Sequence, residues 1–508
     1  PDSLNRGIHG KSDWQLRLDF AGISVPKTKP FLRLSASSNL RNTRLDLPQP
    51  FAKTALSPRK ASVELDFFQE QVWFSAGLGS DIRGRGQLVP DAERNFELNL
   101  LDIAFASKLK PKPRQGLHLY GSIDEVSVDD WIRFIKGSEG ANSALLQSVD
   151  LSFDRALLFQ RELTNVSIDL AQGEQSFVGS IDSSIVSGRF AAPWKPSPAN
   201  PLIVDLDYLL IEKVDDETEE ADLVPADLVD FRLDSKALVF HDMLFSKLHV
   251  DGRPVGDKLY IDNLGLQKDD LVLEGKGQWD YDAVSRSHLS SIAMTVRGEN
   301  LGQALAGMGF GDSMRGGRLD FSGGFTWPDR IVAFDVDNLV GDARFRVDDG
   351  VLNNVDPGGG RFVGLFSLAA LPRRLSLDFS DVFIEGMEFD EIYGTYRIEK
   401  GILTTDDSRM KGPAAEIKIY GDTDIAKRSY DQTIEITPKI RQTLPVIGAV
   451  AAGSTVGWGL LLLQSLFKKS IDEAVEVEYR VTGSWDDPKI ELVKAVDENQ
   501  RELPKIDK

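Results

Sequence analysis

Catalysis needs side chains that carry protons, electrons or metals, so these come first. Five histidines, His9, His118, His241, His249 and His288, are scattered along 508 residues with no ligand spacing between them. None stands in an HExxH pattern, where two imidazoles four apart on a helix would share a metal. The chain has no cysteine, which removes disulfides, thiolate–metal sites and thiol nucleophiles together. GxSxG and Walker patterns are absent too. Acidic residues are abundant, but they alternate with apolar ones, as in Val63-Glu64-Leu65-Asp66-Phe67. On a strand such acids face solvent and do not converge as an acid–base pair. The expectation is a protein that is not an enzyme, with no catalytic residues, metal or cofactor.

One glycine cluster has a geometry suited to an anion. In DPGGGRFVGLFSLAALPRRL (356–375), Asp356 and Pro357 stand where an N-cap and a first helical residue belong. Gly358–Gly360 would then bare backbone N–H groups at a helix start. The strand–loop–helix context of a nucleotide fold is missing, so a flexible entry to a docked helix is the better reading. That helix, near 361–371, is apolar nearly all round, with Phe362, Val363, Leu365, Phe366, Leu368 and Leu371. Such a helix is buried or in lipid.

Net charge is −20, which repels phosphates and argues against nucleic acid as a partner. Apolar residues make up 41% of the chain, enough for a real core. The start, PDSLNRGIHGKSDW, lacks a signal pattern and an initiator methionine, so a processed product or excised fragment is expected.

The elements that must position any site are strands. Trp14, Leu16, Leu18 and Phe20 share one face. The same alternation recurs at Val63/Leu65/Phe67, Val149/Leu151/Phe153, Val166/Ile168/Leu170, Val204/Leu206/Tyr208/Leu210, Val332/Phe334/Val336, Ile417/Ile419 and Val475/Val477/Tyr479/Val481. Turn signals separate the runs, such as Asp348-Asp349-Gly350. Residues 257–280 and 400–424 echo each other as strand, polar turn, strand, Gly and turn. The reading is all-β: a long series of antiparallel strands, each apolar on one side, with few helices, one of them near 129–135. A sheet of this length must hide that side. Stacked sandwiches, closed barrels and curling around something apolar that is not protein all remain open.

Residues 446–467 are uncharged throughout. As one helix of about 33 Å they would match a bilayer core. Gly448, Gly453, Gly457 and Gly459 with Gln464 make spanning marginal. Soluble-type strands flank the stretch on both sides, so a single crossing would separate them. A hairpin bent at Gly453-Ser454, either dipping into a leaflet or plugging the end of the sheet, resolves this. Lys439, Arg441, Lys468 and Lys469 would then reach lipid phosphates.

The long run from GRFVGLFSLAALPRRLSLDF (360–379) through GILTTDDSRMKGPAAEIKIYGDTDI (401–425) to YRVTGSWDDPKIEL (479–492) resembles the C-terminal part of the AsmA-like envelope proteins. LDLPQPFAK (45–53) and GLHLYGSIDEVSVDDW (116–131) resemble that family's middle region. The resemblance implies an elongated, curled β-sheet forming an open hydrophobic groove for phospholipid in the periplasm of a Gram-negative bacterium. It implies an inner-membrane anchor outside this chain, a reach toward the inner leaflet of the outer membrane, and further envelope proteins as possible partners. The alternative is a non-enzymatic envelope scaffold of β-sandwich modules.

Groove candidates on this reading are Trp14, Leu16, Leu18, Phe20, Val63, Leu65, Phe67, Val149, Leu151, Phe153, Val332, Phe334, Val336, Ile417, Ile419, Val475, Val477, Tyr479 and Val481. Membrane-contact candidates are Phe362, Leu365, Phe366, Leu368, Val446, Ile447, Val450, Trp458, Leu460, Leu461, Leu463, Leu466, Phe467, Lys468 and Lys469. The expected divisions are groove segments 1–212 and 227–440, an acidic loop 213–226, a hydrophobic hairpin 441–473, and terminal strands with a polar tail 474–508.

Overall fold

The structure is a computed structural model. It describes residues 7–22, 25–91, 95–136, 145–158, 161–211, 223–240, 243–307, 313–334, 336–353, 387–413, 415–439, 474–485 and 488–497. Both apolar stretches expected to be helical, 361–371 and 446–467, lie outside the described residues, and with them every membrane-contact candidate. The glycines 358–360 and His241 lie outside as well. Among the described residues no helix is long and apolar enough to cross a membrane.

The fold is nearly all β, as the alternation predicts. It separates into two compact units, Pro1–Leu223 with Val229–Asp242, and Val224–Leu228 with Met243–Lys508.

In the first unit, strands pair in succession into one sheet: Gln15–Phe20, Leu32–Ser38, Ala61–Phe67, Val72–Leu78, Ile82–Pro90, Phe96–Phe105, Gly116–Ser127, Leu146–Leu158, Arg161–Gln172, Ser176–Asp182, Val186–Pro193 and Leu202–Ile211. Most pairs are antiparallel. Gly116–Ser127 runs parallel to both its neighbours, and Leu202–Ile211 runs parallel to Phe231–Ser235 and Leu238–Phe240. A parallel neighbour forces the chain to cross back over a face of the sheet.

The two crossovers around Gly116–Ser127 use opposite faces. Residues 106–115 cross the polar face. There Arg85 donates to the Lys110 carbonyl at 2.9 Å, and the Lys110 amide donates to the Tyr120 hydroxyl at 2.9 Å. The second crossover contains the helix Val128–Lys136 and covers the apolar face. The Ser127 hydroxyl accepts from the Asp130 amide at 3.1 Å, and Asp129 and Asp130 lie in the first turn, where the helix dipole favours negative charge.

The second unit is an antiparallel succession: Lys247–Val255, Lys258–Lys268, Leu271–Asp282, Ser287–Gly298, Met314–Trp327, Val340–Leu352, Met387–Glu399, Ile402–Lys411, Ala415–Asp424, Ser429–Pro438, Ala474–Ser484 and Pro488–Asp497. The echo at 257–280 and 400–424 is a pair of hairpins, each with a register shift in mid-ladder. Its apolar face closes on itself. Phe345, Ile392, Met410, Ile417, Ile419, Ile434 and Val481 are all buried in one cluster, and Ile434 is 0% exposed.

One expected strand is absent among the described residues. Val332, Phe334 and Val336 alternate, but Pro328 follows the end of Met314–Trp327 and the chain turns there. The Trp327 indole donates to the Arg330 carbonyl at 3.0 Å, and the Ala333 amide donates to the same carbonyl at 3.0 Å. Val336–Asn338 is a 3-10 turn. Phe334 rests edge-on against Trp327, rings 5.4 Å apart. The alternation of Val332, Phe334 and Val336, without a paired strand beside the described residues, did not suffice to make a strand.

Candidate functional site

Side chains opposite one another in register share a face, so the pairing of the first unit can be followed strand by strand. One row runs Leu18, Leu34, Leu65, Phe74, Gly86, Leu101, Leu117. The next runs Leu16, Ala36, Val63, Ala76, Gly84, Ile103, Leu119, Val149, Leu170, Gly179, Phe190, Val204 and Leu233. A third carries Leu78, Ile82, Phe105, Gly121, Leu151, Ile168 and Ile181. The polar face carries the complement, Glu64, Ser75, Arg85, Asp102, His118, Ser148, with Asp66, Asp150 and Asp169 beside them. The first unit therefore presents a continuous apolar strip on one side only.

Two glycines are needed for that continuity. A Cβ on Gly86 would stand 2.2 Å from the Phe74 ring, which lies over the glycine and smooths the strip. Gly121, at φ +119, lets Phe105 approach so closely that a Cβ would meet its carbonyl oxygen at 1.9 Å.

Cover on the strip is uneven. Ile82, Phe105, Ile123, Val126, Phe153, Ala156, Leu163 and Val166 are buried, with Phe51, Val128 and Trp131 packed on them. The neighbouring Leu34, Val63, Leu65, Phe74, Ile103, Leu119, Val149, Leu151, Leu170 and Ile181 are only half-buried. At the first strand the strip is open: Leu16 is 68%, Leu18 67% and Phe20 68% exposed. Of the groove candidates, Val63, Leu65, Phe67, Val149 and Leu151 thus lie on a half-open apolar strip, with Trp14, Leu16, Leu18 and Phe20 at its exposed beginning. Phe153 is under the cover. Ile417, Ile419, Val477 and Val481 sit in the closed interior of the second unit, with Tyr479 half-buried against it. They line no open surface, because their sheet curls until its own side chains meet. The side chain of Val475 is not described.

Several acids of the polar face are paired with cations. Arg33 makes a two-pronged contact with Asp66, at 2.5 and 2.8 Å, and that hydrogen bond raises the arginine further above its ordinary value. Arg85 reaches the nearly buried Asp102 at 2.5 Å. In the second unit Glu391 accepts from Lys411 at 2.6 Å and faces Arg346 at 2.8 Å. The Lys411 hydrogen bond holds the Glu391 carboxyl below the usual glutamate range.

The described histidines likewise have polar partners. His118 contacts the Ser148 hydroxyl at 2.7 Å and the Gln115 carbonyl at 2.9 Å. His288 Nδ1 accepts from the Trp279 indole at 3.0 Å. His249 meets Asp251 at 3.3 Å and His9 meets Asp46 at 3.4 Å. Among the described residues no group of three His, Cys, Asp or Glu is placed to hold a metal. The second unit also has an open concavity of about 1310 Å³ on its polar side, lined by Glu274, Lys276, Asp342, Arg344, Arg397 and Asp406 among others.

Sequence reasoning missed the cover. Phe51 stands between Phe105 of the sheet and Trp131 of the helix, rings 6.0 Å apart and edge-on at each contact. The Trp131 indole donates to the Gln49 carbonyl at 2.8 Å. Lys53 fixes the loop that presents Phe51. It is buried, donates to the Thr43 and Thr54 carbonyls at 2.7 and 2.8 Å, and burial holds its ammonium below the usual lysine value. The only sequence signal was an aromatic residue isolated behind two prolines, Pro48 and Pro50.

The YhdP protein family matches residues 1–490. The intermembrane phospholipid transporter YhdP of Escherichia coli (strain K12) is 23% identical over 510 aligned residues, spanning 97% of this chain and 39% of that relative. No solved structure matches.

Proposed function

The chain belongs to the YhdP protein family, and from that premise we propose that it carries phospholipids across the periplasm between inner and outer membranes, with acyl chains lying on the apolar strip of the first unit. The observation that carries the reading is a strip that is continuous from strand to strand yet left half-uncovered by protein. Exposing an acyl methylene to water costs about 0.8 kcal/mol, so a bare tail crosses an aqueous gap slowly. A strip of many similar rungs lowers that barrier without trapping the tail, while head groups stay hydrated. The E. coli relative's description as a phospholipid transporter supports the choice of lipid. The chain spans 39% of that relative, so transport by the whole protein, its anchoring in the inner membrane and its envelope partners are part of the proposal. Contact with the outer membrane is assigned to the apolar sequences 362–371 and 446–467.

The test is photo-crosslinking in the full chain. A photoreactive residue at Leu65 or Leu151 should capture phospholipid, identified by mass spectrometry. The same residue at Ser75 or Ser152, on the opposite face of the same sheet, should not. Equal capture from both faces, or none from either, would overturn the reading.

A further inference from the structure

We propose that Phe51 and Trp131 form an end-stop that sets how long an acyl chain the first unit accepts, an inference that rests on the lipid reading above. Two stretches distant in sequence, 45–53 and 116–131, meet here. The stack Phe105, Phe51, Trp131, Phe134 climbs from the sheet to the helix in edge-on contacts of 6.0, 6.0 and 5.9 Å. It stands along one edge of the apolar strip, because Phe51 and Trp131 pack on Ile82, Phe105 and their buried neighbours and leave Leu34, Leu65 and Phe74 outside the cluster.

The stop is held from two sides. Trp131 is tied to the Gln49 carbonyl. The loop carrying Phe51 is closed by the reciprocal backbone pair of Leu45 and Lys53, at 2.8 and 3.1 Å, and by Arg59 donating to the Pro50 carbonyl at 2.6 Å. An aromatic wall fixed at both ends does not yield to a tail as a loose side chain would.

Geometry gives the length. The furrow between Ile82–Pro90 and Phe96–Phe105 runs along the strand direction from the Leu88/Leu98 row, past Gly86/Leu101 and Gly84/Ile103, to Ile82/Phe105. Successive rows on one face are two residues apart, about 6.7 Å, so three intervals make about 20 Å. An extended residue spans about 3.6 Å over three bonds, or about 1.2 Å per bond. The open furrow therefore takes a tail of about 16 carbons. Past the end of that furrow, on the adjoining strands Gly116–Ser127, Leu146–Leu158 and Arg161–Gln172, lie the apolar rows Ile123/Phe153/Val166 and Val126/Ala156/Leu163, already in register. Removing the wall adds one such row, room for about five more bonds.

The experiment loads the full chain from vesicles containing equal amounts of phosphatidylcholines with 14-, 16-, 18- and 20-carbon tails, and reads the bound acyl lengths by mass spectrometry. The native protein should be enriched in 16-carbon tails. Phe51→Ala and Trp131→Ala should raise the ratio of 20- to 16-carbon tails at least threefold. Trp131→Phe, which keeps a ring on the wall, should stay near the native profile. Phe51→Leu, chosen to keep the loop seated should an alanine variant unfold, should shift the ratio in the same direction by less. Lipid bound with identical length profiles in all variants overturns the end-stop and leaves the lipid reading standing. Absence of lipid from the native protein overturns both.

Discussion

Leu65→Glu separates lipid carriage from folding. Leu65 lies between Leu34 and Phe74 in the half-open strip and belongs to neither buried cluster. Being half-buried, it contributes about 1 kcal/mol to folding, roughly half the value of a fully buried leucine. Its replacement should therefore leave the unfolding transition almost in place. The effect on a lipid is larger. A tail of about 16 methylenes gains on the order of 13 kcal/mol by leaving water. To lie over position 65 it would have to strip water from a carboxylate, at a cost of several kcal/mol. With about 4 kcal/mol lost, occupancy at this rung falls about a thousandfold, at 1.4 kcal/mol per tenfold. The assay is lipid capture by a photoreactive residue at Leu34, the paired rung, with a denaturant curve alongside. Ser75→Glu is the control: it adds the same charge to the neighbouring strand, on the opposite face. A tail pressing on the introduced carboxyl raises its pKa, so acidifying enough to neutralise it should restore capture. Undiminished capture at Leu34 in Leu65→Glu, with the fold intact, would refute the assignment of acyl chains to this strip.

Ile434→Ala, at a side chain with no exposure in the second unit's closed interior, should cost about 2–5 kcal/mol of stability while lipid capture at Leu65 persists; a loss under 1 kcal/mol by urea unfolding would mean the interior is loosely filled. Because Glu391 has a folded pKa below its unfolded value, its contribution is present above the unfolded glutamate pKa and is lost as pH falls through the folded one. Glu391→Gln should thus lower the urea midpoint at pH 7 and flatten its decline in the acid range; parallel pH curves for the two proteins would remove Glu391 from the account. Leu461→Glu combined with Leu463→Glu should abolish liposome flotation of the full chain with its β-sheet circular dichroism unchanged, and unaltered flotation would count against membrane contact by 446–467.

Much of the sheet was legible because alternation is local. The runs at 63–67, 149–153, 166–170, 204–210 and 475–481 all became strands. The helix near 129–135 was legible from its own residues and is seen at Val128–Lys136. Its partner Phe51 was not, since the contact joins positions far apart and no local pattern encodes it. Nor did the sequence separate the two fates of an apolar face. Leu65 and Ile434 sit in equally regular alternation, yet one lies on a half-open strip and the other is sealed. The difference comes from how far each sheet curls, which depends on many pairings together. The parallel pairings of Gly116–Ser127 were hidden for a similar reason: alternation records which face a residue occupies and says nothing about strand direction.

Those parallel pairings also explain why the cover sits where it does. An antiparallel hairpin can turn at the end of a sheet and leave both faces bare, but a parallel pair must send a crossover over one of them. The crossover at 106–115 takes the polar face, where its backbone meets Arg85 and Tyr120. The helix Val128–Lys136 takes the apolar face and brings Trp131 onto Phe51. A sheet built only of hairpins would offer tails a furrow open to the end of each strand, and a conduit with such furrows would hold long lipids more tightly than short ones. One inserted crossover limits the depth of every furrow beneath it while leaving the path from strand to strand open. With acyl chains on this strip as proposed, the change of strand direction at Gly116–Ser127 would restrict them along the strands and leave their passage across the strands free.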